Sequence, residues 1–104
     1  MLADERFCAY RVGRDVLLLF MSGASGKPVA VPGGVIPPHE TRGAGHFAFA
    51  IAPEALAAWR TRLQERGIKI ESEVTWERGG TSLYFRDPDA NLLELATPGI
   101  WANY

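Results

Sequence analysis

The run from Gly80 to Leu95, Gly-Thr-Ser-Leu-Tyr-Phe-Arg-Asp-Pro-Asp-Ala-Asn-Leu-Leu-Glu-Leu, constrains the fold more than any other part of the chain. It reads as a strand, a tight acidic turn and a second strand. The second strand carries one carboxylate, Glu94, between Leu93 and Leu95. A charged side chain is seldom buried without a partner, so Glu94 needs a solvated face, an ion pair or a metal. Side chains alternate across a strand, which puts Leu93 and Leu95 on one face and Leu92, Glu94 and Ala96 on the other.

The segment from His46 to Ile51 divides in the same way. Phe47, Phe49 and Ile51 point one way, and His46, Ala48 and Ala50 the other. Each strand therefore has a core face and a second face of small residues with one imidazole or carboxylate. Small neighbours leave room for a ligand. Between the two strands, Pro53 to Arg66 reads as a helix: Pro53 suits its first turn, Glu54 complements its dipole, and Gly67 suits the position after its end. Leu56, Trp59 and Leu63 make its apolar stripe. Ile68 to Trp76 reads as the next strand. Towards the start, Phe7 to Val12 and Val16 to Met21 form two strands around a turn at Gly13-Arg14-Asp15. Ser22 to Gly45 is rich in Gly and Pro and reads as a loop or linker, with a short strand near Val29 to Val31.

These pieces carry a resemblance. Gly45-His46-Phe47-Ala48-Phe49, the Pro53-to-Gly67 helix, Ser82 to Asp89 and Asn91-Leu92-Leu93-Glu94 occur in the order found in the second module of the vicinal oxygen chelate superfamily. That group includes glyoxalases, extradiol dioxygenases, fosfomycin-resistance enzymes and bleomycin-binding proteins. The resemblance implies an α+β fold with a curved mixed sheet, built from one complete βαβββ module and one truncated module lacking its first strand and helix. It implies a single domain over residues 1–104, with the truncated module in 1–31, a linker in 32–45 and the complete module in 46–104. Tyr10 to Phe20 can be laid against Phe85 to Leu95 as a degraded repeat, with Leu18 in the place of Glu94.

The resemblance also implies site residues. The family's matching histidine and glutamate bind metal, which makes His46 and Glu94 the metal ligands expected here. Imidazole with carboxylate suits divalent zinc, iron, manganese or nickel. Sites of this type use three protein ligands, and the family's usual third ligand would lie before residue 1. The alternative is that His46 and Glu94 only hydrogen-bond each other. Glu94 is also the expected proton-moving catalytic group. Tyr84 and Arg86 share a face with Ser82, and with Ala48 they are the expected substrate-binding residues. Against this, Arg86 has a structural alternative, pairing with Asp87 or Asp89, and Tyr84 another, packing with its hydroxyl satisfied. His39 reads as a surface histidine of the linker, and Trp59 and Trp76 as core. Ala90 stands where the family commonly has glycine, which shifts the expected positive φ to Asn91.

Composition narrows the function classes. A net charge of −1 gives no electrostatic case for nucleic acid or an anionic membrane. No basic region followed by an apolar run opens the chain, and Val16 to Met21 is far too short to span a bilayer. The single Cys8 cannot form an internal disulfide, which fits a reducing cytoplasm. The expected ligand is a small organic molecule in a cup. The open alternatives are a metal-dependent lyase, isomerase or dioxygenase, a metal-free drug-binding protein of the bleomycin-resistance kind, and a non-catalytic remnant. Strands 7–12 and 16–21, left without a covering helix, predict a homodimer.

Overall fold

The computed structural model describes residues 2–3 and 5–104, with side chains from residue 5 onward. The chain divides into two compact units, 1–43 and 44–104.

Among its described residues, the first unit contains strands and turns but no helix. Strand β1 (Leu2–Ala3) pairs antiparallel with β2 (Phe7–Val12), which pairs with β3 (Asp15–Phe20). Gly13, with φ of 61°, opens the turn between β2 and β3 in a conformation that costs glycine little. A second hairpin joins β4 (Val29–Val31) to β5 (Gly34–Ile36), turning at Pro32 and Gly33. The strand expected near Val29 is present. Its partner β5 lies inside the stretch read as linker, because Gly34, at φ 154°, lets so short a hairpin close.

The second unit builds the site. Strand β6 (His46–Ala50) leads through a 3-10 turn (Pro53–Ala55) into helix α1 (Leu56–Glu65), then β7 (Ile70–Thr75), β8 (Thr81–Arg86) and β9 (Leu92–Ala96). The sheet order is β6-β9-β8-β7, with β6 and β9 parallel and the other pairs antiparallel. The expected α+β architecture is met: one helix and a mixed sheet. Pro53 starts the 3-10 turn where its missing N–H costs nothing, and Gly67 ends the helix at φ 68°. On α1, Leu63 is buried and Leu56 and Trp59 are half-buried, so the predicted stripe is the helix's least exposed side. Arg60 pairs with Glu73 of β7 at 2.6 Å, an exposed contact worth ~0.2–1 kcal/mol.

Leu63, Leu83 and Leu95 form the core, and Leu83 and Leu95 are register partners on one sheet face. The opposite face carries Ser82, Tyr84 and Glu94. The two faces follow from the period-2 pattern already visible in the sequence.

The turn between β8 and β9 aligns the site. Asp87 Oδ1 accepts hydrogen bonds from the backbone of Asp89 (2.9 Å) and Asn91 (2.8 Å), and its Oδ2 accepts from Asn91 Nδ2 (2.8 Å). The Asn91 side-chain bond, foremost, holds the Asp87 carboxyl below its ordinary pKa. Asn91 Oδ1 in turn accepts from Gly45 N–H at 2.6 Å, and Leu92 N–H donates to Gly45 O at 2.9 Å. These bonds set the start of β6 against the start of β9.

One expectation for this turn is corrected. The left-handed residue is Ala90 itself, at φ 66°, and not Asn91. Asn91 is committed to bridging Asp87 and Gly45, so Ala90 takes the strained conformation. Ala90→Gly is therefore expected to stabilise the fold by about 1 kcal/mol, the strain removed less the added chain entropy. Urea unfolding measures it, and an unchanged or lowered midpoint would contradict the assignment of strain.

Candidate functional site

Two strands bring the expected pair together. His46 opens β6, and Glu94 sits in β9 directly beside Ala48. The two residues are on adjacent parallel strands and share one face. His46 Nε2 lies 3.0 Å from Glu94 Oε1. His46 Nδ1 lies 3.0 Å from the Leu92 carbonyl oxygen. A carbonyl oxygen only accepts, so Nδ1 carries a proton. The neutral ring then points its Nε2 lone pair at a carboxylate oxygen. That arrangement has two resolutions: a second proton on the ring, which makes an imidazolium–carboxylate bond, or a cation shared by the two electron-pair donors.

The donor set fits the second resolution. An imidazole nitrogen with a carboxylate oxygen suits zinc, iron, manganese or nickel. A metal-ligating histidine characteristically donates its other ring N–H to a backbone carbonyl or carboxylate, as Nδ1 does here. Among the described residues, no cluster of three or more His, Cys, Asp or Glu side chains surrounds the position.

Glu94 is held from the other side as well. Its side chain is 11% exposed, against 49% for His46. Ser82 Oγ, fully buried, donates to Glu94 Oε2 at 2.6 Å. Trp76 Nε1–H donates to Ser82 Oγ at 2.9 Å. A chain of hydrogen bonds thus runs from Trp76 through Ser82 and Glu94 to His46 and Leu92. Charge-assisted bonds of this length are strong, and they leave only Oε1 facing outward.

Tyr84 is the register partner of Glu94 on β8, and its ring stacks near His46 with centroids 6.2 Å apart. Burial first, and then the nearby Glu94 carboxylate, push the phenol's pKa up, with Ser82 partly offsetting them. The hydroxyl therefore stays protonated through neutral pH and remains a donor.

These groups line a cavity of about 470 Å3. Ala48, Ala50 and Ala96 give it a shallow floor, as the small-residue faces predict. The side that sequence reading missed comes from Trp76 and the turn at Ile100–Tyr104. Trp76, read as core, lines the cavity and is 37% exposed. The turn closes on itself, with Ile100 and Trp101 N–H donating to Tyr104 O at 2.8 and 2.9 Å. Tyr104 hydroxyl then donates to Ala96 O at 2.8 Å, tying the turn to the end of β9. The available signal was the aromatic density of Trp101 and Tyr104 close behind Glu94.

Of the expected site residues, His46, Ala48, Tyr84 and Glu94 line this cavity together. Arg86 does not join them. Its Nε donates to Glu71 Oε2 at 2.9 Å, and Nη1 donates to Ala90 O at 3.0 Å. Glu71 is offered to it by the irregularity in β7 between Ile70 and Ser72. The partner is thus across the strand and not Asp87 or Asp89. His39 belongs to the first unit, where it meets Phe20 edge-on at 4.6 Å.

A family description, Glyoxalase/Bleomycin resistance protein/Dioxygenase superfamily, matches residues 4–95. The chain is 46% identical over 56 residues to a metallothiol transferase FosB from Shouchella clausii, covering 50% of this chain and 37% of the relative. It is 38% identical over 60 residues to a glutathione transferase FosA from Serratia marcescens, covering 58% and 40%. The chain thus matches about two fifths of the length of each of these curated relatives. Among solved structures, the crystal structure of a lactoylglutathione lyase from Agrobacterium tumefaciens matches with a TM-score of 0.83 and 30% identity, over 98% of this chain and 75% of that one.

Proposed function

We propose, since the chain belongs to the Glyoxalase/Bleomycin resistance protein/Dioxygenase superfamily, that it binds a small organic molecule in the cavity at the His46–Glu94 pair. The reading is supported above all by the 3.0 Å approach of Nε2 and Oε1, each anchored from behind by the fold. His46 and Glu94 are the residues that would hold a divalent cation. Such a cation polarises the oxygens of a bound ligand. Glu94 Oε1 is the group placed to take a proton from that ligand, since Oε2 is occupied by Ser82. Tyr84 donates its hydroxyl to a ligand oxygen, and Ala48 leaves the space beside Glu94 open.

Two protein ligands hold a cation less firmly than three or four. Uptake by one chain should fall well short of the ~10–16 kcal/mol of structural zinc sites. Calorimetric titration with zinc and nickel is expected to show weak, saturable uptake that His46→Ala abolishes. Uptake unaffected by His46→Ala would overturn the assignment. A protein that takes up no metal and still binds ligand would support a second reading. The observation favouring that reading is the 3.0 Å approach itself, which a second ring proton would complete as an imidazolium–carboxylate bond, an arrangement suited to a metal-free binding protein.

The proposed functional state is a homodimer. On the first unit Val16 and Met21 are each 64% exposed and Leu19 50%, and β6 is an edge strand of the second sheet. Exposed apolar strands and an open edge favour association. Light scattering should give twice the chain mass at micromolar concentration, and a monomer there would contradict it.

A further inference from the structure

The cavity lining is of two kinds. One is polar: His46, Glu94 and the Tyr84 hydroxyl. The rest is apolar, with Ala48, Ala50, Ala96 and Ile100 beside the rings of Trp76 and Trp101. We infer that the cavity selects a neutral aromatic ligand with a hydroxyl or carbonyl oxygen at the His46–Glu94 pair, and that Trp101 is its specificity-determining wall. This rests on the reading above that the cavity is the ligand site.

Charge disfavours ionic ligands. Among the described residues, those lining the cavity include no Lys or Arg. The guanidinium nearest in sequence on the same strand, Arg86, is turned away by Glu71 and the Ala90 carbonyl. A carboxylate or phosphonate entering the apolar part would lose hydration with no Lys or Arg side chain there to compensate it. An ammonium also gives up hydration at the apolar walls, and Glu94 offers it only Oε1, already shared with His46, since Oε2 is held by Ser82.

Shape and placement favour an aromatic one. A cavity of about 470 Å3 lies within the usual range of ~300–1,000 Å3 for small-molecule sites. Flat aromatic ligands gain most from aromatic walls. Trp101 is 69% exposed, so no core contact explains its position. What places it is the fold of its turn. Tyr104 is tied to Ala96, and Gly80 N–H donates to Gly99 O at 2.9 Å, just before Ile100. A large indole held at a cavity edge by its backbone is available to cover a ligand.

The test uses three probes of one shape on the full chain with chelator present: naphthalen-2-ol, naphthalene-2-carboxylate and naphthalen-2-ylmethanamine. Equilibrium dialysis near neutral pH is expected to show the naphthol binding at least about tenfold tighter than either charged probe, the factor that ~1.4 kcal/mol of desolvation supplies. Trp101→Ala should weaken naphthol binding about fivefold or more, and Trp101→Phe should restore most of it. Carboxylate or amine binding as tight as the naphthol, or a Trp101→Ala protein that binds naphthol unchanged, would overturn the inference. Zinc uptake by the same protein is scored separately. Zinc uptake without probe selectivity removes only this inference, and selectivity without zinc uptake removes only the metal role of His46 and Glu94.

Discussion

Gly99→Ala is expected to cost about 3 kcal/mol of stability and to loosen the aromatic side of the cavity. A Cβ at Gly99 would stand 2.6 Å from Gly80 N and 2.8 Å from Arg78 O, and the residue holds φ at 104°. Both obstacles are backbone atoms that cannot rotate aside. The strain and the overlap are separate costs of ~1–3 kcal/mol each. Gly80→Ala meets the same crossing from the other side, with Gly99 C at 2.7 Å and Pro98 O at 2.8 Å. Gly79 is the control. It also has positive φ, 95°, but a Cβ there meets nothing within 4 Å. Gly79→Ala should therefore cost only the conformational part, ~1–2 kcal/mol. Urea midpoints of the three variants measure the difference. Equal losses at Gly79 and Gly99 would show that the close crossing does not matter.

That crossing also explains what was and was not legible in the sequence. The shared face of His46 and Glu94 was legible, because the strand period is strict and Phe47, Phe49, Leu93 and Leu95 mark the other face. The helix was legible from Pro53, Gly67 and its apolar stripe. The aromatic side of the cavity was not. It depends on Gly80 and Gly99 meeting across 19 residues, and two glycines look locally like ordinary turns. Trp76 was read as core for a related reason: its N–H partner, Ser82, lies across a turn and offers no periodic signal. For Arg86, strand parity and the guanidinium's fit to an oxygen-rich ligand point to the site, with pairing at the turn as the alternative. Parity gives the face of a residue, but a long side chain goes where its charge is best paired, here to Glu71. At Ala90, asparagine's tolerance of positive φ pointed to Asn91, but the Asp87–Asn91–Gly45 bridge claims Asn91 first.

Ser82→Ala is expected to cost about 2–3 kcal/mol, because the lost hydrogen bond is to a charged, nearly buried carboxylate. Trp76 loses its acceptor as well, but at 37% exposure it has recourse to water, so its share is the smaller one. The loss depends on Glu94 still being a carboxylate. In an E94M background the same Ser82→Ala change removes a hydroxyl with no charged partner, and the cost should fall to less than half. A full cycle of the two single variants and the double, followed by urea unfolding, isolates this coupling. The ligand site supplies a second reading of the same cycle. Ser82 fixes Oε2 of Glu94 and so fixes where Oε1 points. Without it the carboxylate turns about its last bond, and the His46–Glu94 approach loses its set geometry. Zinc uptake should therefore weaken in Ser82→Ala even at temperatures where the fold is intact. Additive stability losses together with unchanged zinc uptake would reduce Ser82 to a packing residue and separate the buried hydrogen-bond chain from the site.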